Sequence, residues 1–245
     1  MQEECIVCKA PLIYLEQDEW MECELCHKKE LSKTRCQNGH YVCNDCHTKG
    51  LDTILSLCID ETSRNPIEIV RKMMDAPFCH MHGPEHHVMV GAALLTAYKN
   101  AGGAINLRES VMEMLNRGKA VPGGTCGFWG ACGAGISAGM FVSILSGATP
   151  LTEESWGLSN QMTSKALEAI SHTGGPRCCK RDSYLAILAA VDFVKTHFGI
   201  EMECTEVHCT HYAQNNQCIG KLLSFGDLMI VFDYKWINGD NKVAI

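Results

Sequence analysis

The stretch Cys36-Gln-Asn-Gly-His40-Tyr-Val-Cys43-Asn-Asp-Cys46 carries four zinc-type side chains within eleven residues. The chain in front of it adds two C-x2-C pairs, which gives eight such residues: Cys5, Cys8, Cys23, Cys26, Cys36, His40, Cys43 and Cys46. A tetrahedral zinc site takes four ligands, and each pair can supply two of them. We therefore predict an N-terminal module, residues 1–48, that holds two zinc ions. Such a module is too small for a sufficient core, so metal binding is expected to supply its folding free energy.

The second half of this module locally resembles the middle of a RING finger, C-x2-G-H-x2-C-x2-C. A RING needs a further cysteine pair downstream, whereas here only Cys58 follows, so we exclude an orthodox RING and a ubiquitin-ligase function. The resemblance favours a nested pairing, in which the first C-x2-C shares an ion with the last, and the second with the C-x3-H pair. A cross-braced pairing, in which the first C-x2-C joins the C-x3-H pair, is the alternative. His27 and His47 stand next to ligand pairs, and either could replace a ligand.

The composition of the chain argues against several classes of protein. It has 16 Cys and 11 His in 245 residues, and no signal peptide precedes Cys5, so we expect metal-bound or reactive thiols in a cytoplasmic protein rather than disulfides. The formal charge of −7 and the pI near 5.9 argue against a broad nucleic-acid footprint. The expected partner is a small-molecule substrate or another protein, not nucleic acid or a membrane.

Helical periodicity dominates the rest of the chain, and we predict a mainly α fold with a treble-clef or RING-like zinc module in front. The helical domain is expected over residues 49–225, followed by a tail, 226–245. Helices are predicted from 48, over 67–74, 84–100, 108–116 with Asn106 as N-cap and Gly118 at the end, 152–172 and 180–198. Minor β structure is predicted near 201–204 and 228–236. The uncharged stretch 121–152 predicts a buried helix, and its small residues Gly135 and Gly139 permit close helix packing.

Three loops place cysteine where a helix is about to start. They are Cys79-His-Met-His82-Gly-Pro-Glu85-His86-His, Gly123-Gly-Thr-Cys126-Gly-Phe-Trp-Gly-Ala-Cys132-Gly, and Gly174-Gly-Pro-Arg177-Cys178-Cys179-Lys180-Arg181. A helix N-terminus and neighbouring cations both lower a thiol pKa. The Cys178–Cys179 pair is therefore the predicted thiolate at neutral pH.

Several thiols at helix starts indicate a metal or thiol site. An iron–sulfur cluster takes three or four cysteines, and an iron without a protein ligand can bind substrate. A catalytic zinc with mixed Cys and His ligands, a thiol nucleophile (Cys179 with His82 or His86), or simple core packing are the alternatives. The predicted cofactor ligands are Cys79, Cys126, Cys132, Cys178 and Cys179. Proton transfer is assigned to His82, Glu85 or His86, and binding of an anionic substrate group to Arg177, Lys180 and Arg181.

A weaker cluster follows near the C-terminus: Cys204, His208, Cys209, His211 and Cys218. Its spacing does not match a familiar zinc site. It could hold another metal, complete the first cluster or line a loop.

The motifs CHMHGPEHH, GTCGFWGACGAGI and GGPRCCKR resemble a cysteine-rich family of unknown function from anaerobic bacteria and archaea, sometimes joined to methyltransferase-like domains. The resemblance covers roughly residues 1–222 and supports a site at Cys79, His82, Cys126, Cys132, Cys178 and Cys179, but it implies no reaction. An anaerobic setting is compatible with an oxygen-sensitive cluster. We predict a metal-dependent enzyme, of the lyase or sulfur-transfer class, or a sulfur or metal carrier. The alternative is a factor whose zinc module binds nucleic acid or protein and whose helical domain senses redox state or metal.

Overall fold

The computed structural model describes residue 5 and residues 7–8, 10–47, 50 and 52–219, together with the backbone of 223–225 and 228–232. The predicted tail therefore lies largely outside the described residues. Within them the fold is mainly α, as predicted: a small β module comes first, a helical bundle follows, and a short sheet comes last. No helix among the described residues is both long and apolar enough to cross a membrane.

The N-terminal module is built on a β-hairpin that the sequence analysis did not predict. Strand β1 (Leu12–Glu22) pairs antiparallel with β2 (Lys29–Cys36), in a register that runs from Leu12 opposite Cys36 to Glu22 opposite Lys29. A register shift between Tyr14 and Glu19 interrupts the ladder. One short helix, α1 (Asn44–His47), closes the module.

Helices α2 to α9 form the bundle: α2 (Asp52–Ile59), α3 (Pro66–Met74), α4 (His86–Asn100), α5 (Leu107–Lys119), α6 (Thr125–Phe128), α7 (Gly133–Ser146), α8 (Glu154–Thr173) and α9 (Cys179–Phe198). The predicted cap is confirmed, because the Asn106 side chain accepts a hydrogen bond from the Glu109 N–H at 3.4 Å. The predicted end at residue 116, with Gly118 beyond it, is wrong, since α5 continues through Gly118 to Lys119.

Helix α4 lies at the centre of the bundle. Thirteen of its residues are buried, from His86 to Tyr98, and it packs against α3, α5, α7 and α9. The predicted burial of the uncharged helix is also confirmed, since α7 packs closely against α8. A Cβ at Gly139 would lie 1.8 Å from Oγ1 of Thr163, so this contact requires glycine.

The C-terminal sheet differs in part from the prediction. The expected run at 201–204 is not a strand, whereas β3 (Val207–Cys209) pairs parallel with β5 (Leu228–Phe232), and β4 (Leu223–Phe225) pairs with β5 antiparallel. The fold brings the starts of four helices to one place, which is the feature that matters for function. The N-termini of α4, α6, α7 and α9 border one cavity, which the N-terminal module and the 214–217 loop complete.

Candidate metal sites and the cavity

Two groups of donor atoms in the N-terminal module can each hold one metal ion, with the atoms of each group all within 4.8 Å of one another. One group is Cys5, Cys8, Cys36 and His40, and the other is Cys23, Cys26, Cys43 and Cys46. The favoured nested pairing is therefore wrong, and the cross-braced alternative is correct. His27 and His47 belong to neither group.

The hairpin explains the cross-braced pairing. Because Leu12 is opposite Cys36, that cysteine lies at the open end of the hairpin, next to the first C-x2-C pair. The second pair lies at the opposite end, beyond Glu22 and Lys29. A bridge between Cys23 and Tyr41 then brings the last pair to the second. The hairpin was not predicted, and without its register the spacing could not separate the two pairings.

Backbone N–H groups lower the pKa of one cysteine in each donor group. The Ala10 N–H is the main cause that lowers the pKa of Cys8 to about 7. Burial opposes ionisation of Cys23, but the N–H groups of Cys43, Leu25 and Cys26 lower its pKa to about 6. Each group therefore contains one sulfur that is ready to bind a cation near neutral pH.

A cavity of about 1060 Å³ separates the module from the helical bundle. Of the site residues predicted in the helical domain, six line it: His82, His86, Cys126, Cys132, Arg177 and Cys179. Asp182 and His87 line it as well, as do His47 and His80. Three aromatic side chains, Tyr14, Phe128 and Trp129, form part of the wall, and the rings of Tyr14 and Phe128 meet edge to face at 5.9 Å.

Three of the five predicted cofactor cysteines face this cavity from three different helix starts. Cys126 is in α6, Cys132 is the N-cap of α7, and Cys179 is the first residue of α9. They are electrostatic neighbours: Cys126 acts on the pKa of Cys132, and Cys132 acts on that of Cys179. The Cys132 thiol donates to Oδ2 of Asp182 at 3.7 Å.

The predicted thiolate pair is wrong for the chain without bound metal. Burial raises the pKa of Cys178 to about 11, and burial also raises that of Cys179 well above its ordinary value, although the Arg177 charge opposes this. Burial and the charge of Asp182 raise the pKa of Cys132 to about 12. Desolvation of a thiolate thus outweighs the helix N-terminus, and a metal that binds here must displace protons.

The other two predicted cysteines do not line the cavity. Cys178 is the N-cap of α9, where its sulfur accepts hydrogen bonds from the Arg181 N–H at 3.5 Å and from Nδ2 of Asn215 at 3.3 Å. Cys79 accepts a hydrogen bond from Nζ of Lys180 at 2.8 Å, and its sulfur is 3.7 Å from Nε2 of His86.

The three predicted proton-transfer residues have distinct surroundings. The Cys179 N–H donates to Nδ1 of His82 at 3.5 Å, which leaves the proton on Nε2, facing Oδ1 of Asn215 at 3.2 Å. His86 is buried, and its Nδ1–H faces the Gly83 carbonyl at 3.0 Å. Burial, followed by the charge of Lys180, lowers the pKa of His86 to about 3.

Glu85 is fully buried between two histidines. Burial by itself would raise its pKa, but the adjacent imidazoles of His47 and His80 hold it well below the usual range. A Cβ at Gly83 would overlap the carboxylate of Glu85, so a residue with a side chain at position 83 would displace this carboxylate.

The three predicted substrate-binding cations are not equivalent. Arg177 lines the cavity at half-buried depth, with its guanidinium carbon 5.9 Å from the ring centre of Tyr14. Lys180 is buried beside Cys79. Arg181 is also buried, and it donates to Oδ1 of Asp182 at 3.0 Å and to the carbonyls of Gly174 and Pro176.

The C-terminal cluster does not form a donor group close enough for one ion, as far as the described residues extend. Cys209 is buried in β3, and its charge acts on the pKa of Cys178. Nε2 of His211 lies 3.7 Å from Asp75. The alternative that these residues line a loop fits this arrangement best.

Several residues at the cavity were not singled out as site residues by the sequence analysis, among them His47, His80, His87 and Asp182. His80 lies inside the CHMHGPEHH motif and Asp182 directly follows Lys180-Arg181, so their positions in the sequence could have indicated both as site residues. His47 was considered only as a substitute zinc ligand, because its approach to Glu85 depends on how the module packs against the bundle.

The chain belongs to a family of unknown function, DUF5714, whose model matches residues 54–225. The predicted resemblance to a family of unknown function is thereby confirmed, whereas its expected extent from residue 1 is not. The match begins within α2 and ends at β4, so it includes all the cavity residues of the bundle but not the N-terminal module. No curated protein and no solved structure matches the chain.

Proposed function

We propose that the cavity is the active site of an iron–sulfur enzyme that acts on a small anionic substrate. The observation that carries the proposal is that Cys126, Cys132 and Cys179 line one cavity from three helix starts, although their sulfur atoms are farther apart than the donor atoms of a single-ion site. Three cysteine ligands can hold a cluster while one iron keeps an open position. When bound, such a cluster supplies a Lewis acid at that iron.

In this proposal the N-terminal module has a structural role, and each of its two donor groups binds one zinc ion. With Zn–S near 2.3 Å, two sulfurs of a tetrahedral site are about 3.8 Å apart. The Cys8–Cys36 sulfur distance is 3.9 Å and the Cys26–Cys43 distance is 3.6 Å. The zinc ions stabilise the fold of the module, and the module forms one wall of the cavity.

The protein side chains divide the remaining work. Arg177 binds the anionic group of the substrate, because it is the predicted cation that lines the cavity. His82 carries protons, since it is half-buried at the cavity and adjoins Cys179. His86 is a weaker candidate for this role because its low pKa keeps it neutral.

The combination of a substrate-binding cation, a histidine and an open iron position fits elimination or sulfur transfer. In a lyase reaction His82 would take a proton from the substrate carbon at Nδ1, in exchange for its hydrogen bond from the Cys179 N–H, as the leaving group departs. A cluster held by the three cysteines would supply the Lewis acid. We assign the protein to this class, with the lyase as the leading form.

Single alanine variants of five cysteines, the three proposed ligands and two controls outside the cavity, test the ligand assignment. Protein is purified without oxygen, and iron, acid-labile sulfide and the visible spectrum are measured. We expect Cys126→Ala, Cys132→Ala and Cys179→Ala to lose most of the iron and sulfide, while Cys79→Ala and Cys204→Ala retain both. Unchanged iron and an unchanged spectrum in Cys179→Ala would contradict the assignment.

A further inference from the structure

A second donor group lies where the module meets the bundle. Nδ1 of His47 is 3.3 Å from Oε2 of Glu85, and Nδ1 of His80 is 3.3 Å from Oε1 of the same carboxylate. The two imidazole rings are 4.5 Å apart between centres. His47 directly follows the last cysteine of the module, whereas His80 and Glu85 precede α4.

Two buried polar atoms in this group are unsatisfied. Oε2 of Glu85 and Nδ1 of His47 have no hydrogen-bond partner among the described residues, although they face each other. Oε1 of Glu85 accepts a hydrogen bond from the His80 backbone N–H at 2.7 Å. A buried carboxylate oxygen without a partner is costly, so this arrangement needs a further group for compensation.

The distances match those between the ligands of one metal ion. With Zn–N and Zn–O near 2.0 Å, two ligand atoms of a tetrahedral site are about 3.3 Å apart. Both imidazole–carboxylate distances have this value, although the two histidines approach different oxygens of Glu85, and one donor atom from each of the three residues lies within 4.8 Å of the other two. Two histidines with one glutamate are also a known ligand set for catalytic zinc, in which the fourth position stays open.

We propose that His47, His80 and Glu85 bind a divalent transition metal ion of the zinc type. His47 and His80 both line the cavity, so the open fourth position of this ion faces the space in which the substrate binds. The ion joins the module to the bundle, because its ligands come from both.

A neighbouring donor group, Cys79, His86 and Glu85, is less suited to a cation. Nζ of Lys180 lies 2.8 Å from the sulfur of Cys79, which places a positive charge at the position that an ion would approach. The group with His47 and His80 has no comparable cation among its described contacts. We therefore assign one ion to the histidine pair.

Zinc counting tests this site independently of the iron–sulfur proposal. The purified protein is supplied with Zn²⁺ and desalted, and zinc is counted separately from iron and sulfide. We expect about three zinc ions per chain for the unmodified protein, since the module takes two. His80→Ala and Glu85→Gln should each retain about two. His80 is the safer site for substitution, because its side chain is about one-third exposed (35%).

Two controls make the result specific. His27→Ala removes the corresponding histidine after another C-x2-C pair, where the ring is 75% exposed, and it should keep all the zinc. Cys179→Ala should also keep the third zinc, even though it loses iron. A zinc content of about two in the unmodified protein would overturn the proposal, as would retention of the third ion in both His80→Ala and Glu85→Gln. If Cys179→Ala lost the third zinc, that ion would belong to the cysteine site instead.

Discussion

The thiol of Cys132 donates a hydrogen bond to Oδ2 of Asp182 over 3.7 Å, which connects the start of α7 to the first turn of α9. Asp182 also accepts a hydrogen bond from Nε of Arg181 at 3.0 Å. The carboxylate therefore separates a buried cation from a cavity thiol. Burial, and after it the charge of this carboxylate, raises the pKa of Cys132 and keeps the thiol protonated, although the backbone N–H groups of α7 act in the opposite direction.

Replacement of this carboxylate is expected to change the reactivity of Cys132. In Asp182→Asn the negative charge disappears, so the pKa of Cys132 should fall by about one unit from its value near 12. The rate of alkylation of Cys132 against pH, measured by mass spectrometry on protein that retains zinc but holds no iron, reports the change. Asp192→Asn, on an exposed residue of the same helix, is the control. Equal profiles for both variants would contradict this relationship.

Paired serine variants separate the two possible connectivities of the module. In the cross-braced arrangement Cys5 and Cys36 bind one ion, so the double variant Cys5→Ser/Cys36→Ser should lose about one zinc of two. Cys5→Ser/Cys43→Ser affects both groups and should lose both ions. A nested arrangement would give the reverse order, so zinc content alone decides between them.

The low pKa of His86 predicts acid sensitivity. Its folded-state pKa of about 3 lies below the ordinary 6.5, so its contribution to stability is complete above pH 6.5 and is lost as the pH falls toward 3. Between pH 7 and pH 4.5, the unfolding free energy should fall by about 2 to 3 kcal/mol more in the unmodified protein than in His86→Gln. Urea unfolding at both pH values measures this difference.

The exposed His172 near the end of α8 provides the matched control, and His172→Gln should retain the acid sensitivity of the unmodified protein. If His86→Gln lost as much stability at pH 4.5 as the unmodified protein, burial of a neutral His86 would not be a source of the acid response.

Two glycines test the contact between α7 and α8. Gly139→Ala places a methyl group against Thr163 and should destabilise the protein by about 1 to 3 kcal/mol. Gly157→Ala, on α8 with nothing within 4 Å of the added Cβ, should stabilise it by up to about 1 kcal/mol. Thermal unfolding of the two variants should therefore shift in opposite directions, and a shared direction would refute the close contact.

Much of the bundle could be predicted because its signals are local. Asn106 caps α5, and Gly135 and Gly139 indicated a close helix contact before any partner was known. The β-hairpin was missed because its strands do not alternate apolar buried residues with polar exposed ones. Trp20 is 73% exposed and its cross-strand neighbour Leu31 is 54% exposed. Metal ligands at its ends, rather than a buried face, define this module.

The candidate site was predictable as a set of motifs but not as an arrangement. Sequence placed Cys178 and Cys179 together, whereas the helical turn directs Cys178 toward Asn215 and Cys179 into the cavity. The prediction that Cys178 and Cys179 are thiolates was wrong because burial raises their pKa by more than the helix N-terminus lowers it. The sequence does not show how deeply a residue is buried. The His47–Glu85 approach depends on two segments 38 positions apart in the chain.

The measurement that tests the central claim most directly is the iron, sulfide and zinc content of the unmodified protein purified without oxygen, together with its visible spectrum. The proposed enzyme should contain zinc, iron and acid-labile sulfide, with a broad absorption band near ~400 nm that bleaches on exposure to air. Protein that contains zinc alone, with no sulfide and no such band after reconstitution with iron and sulfide, would contradict the claim that Cys126, Cys132 and Cys179 hold a cluster.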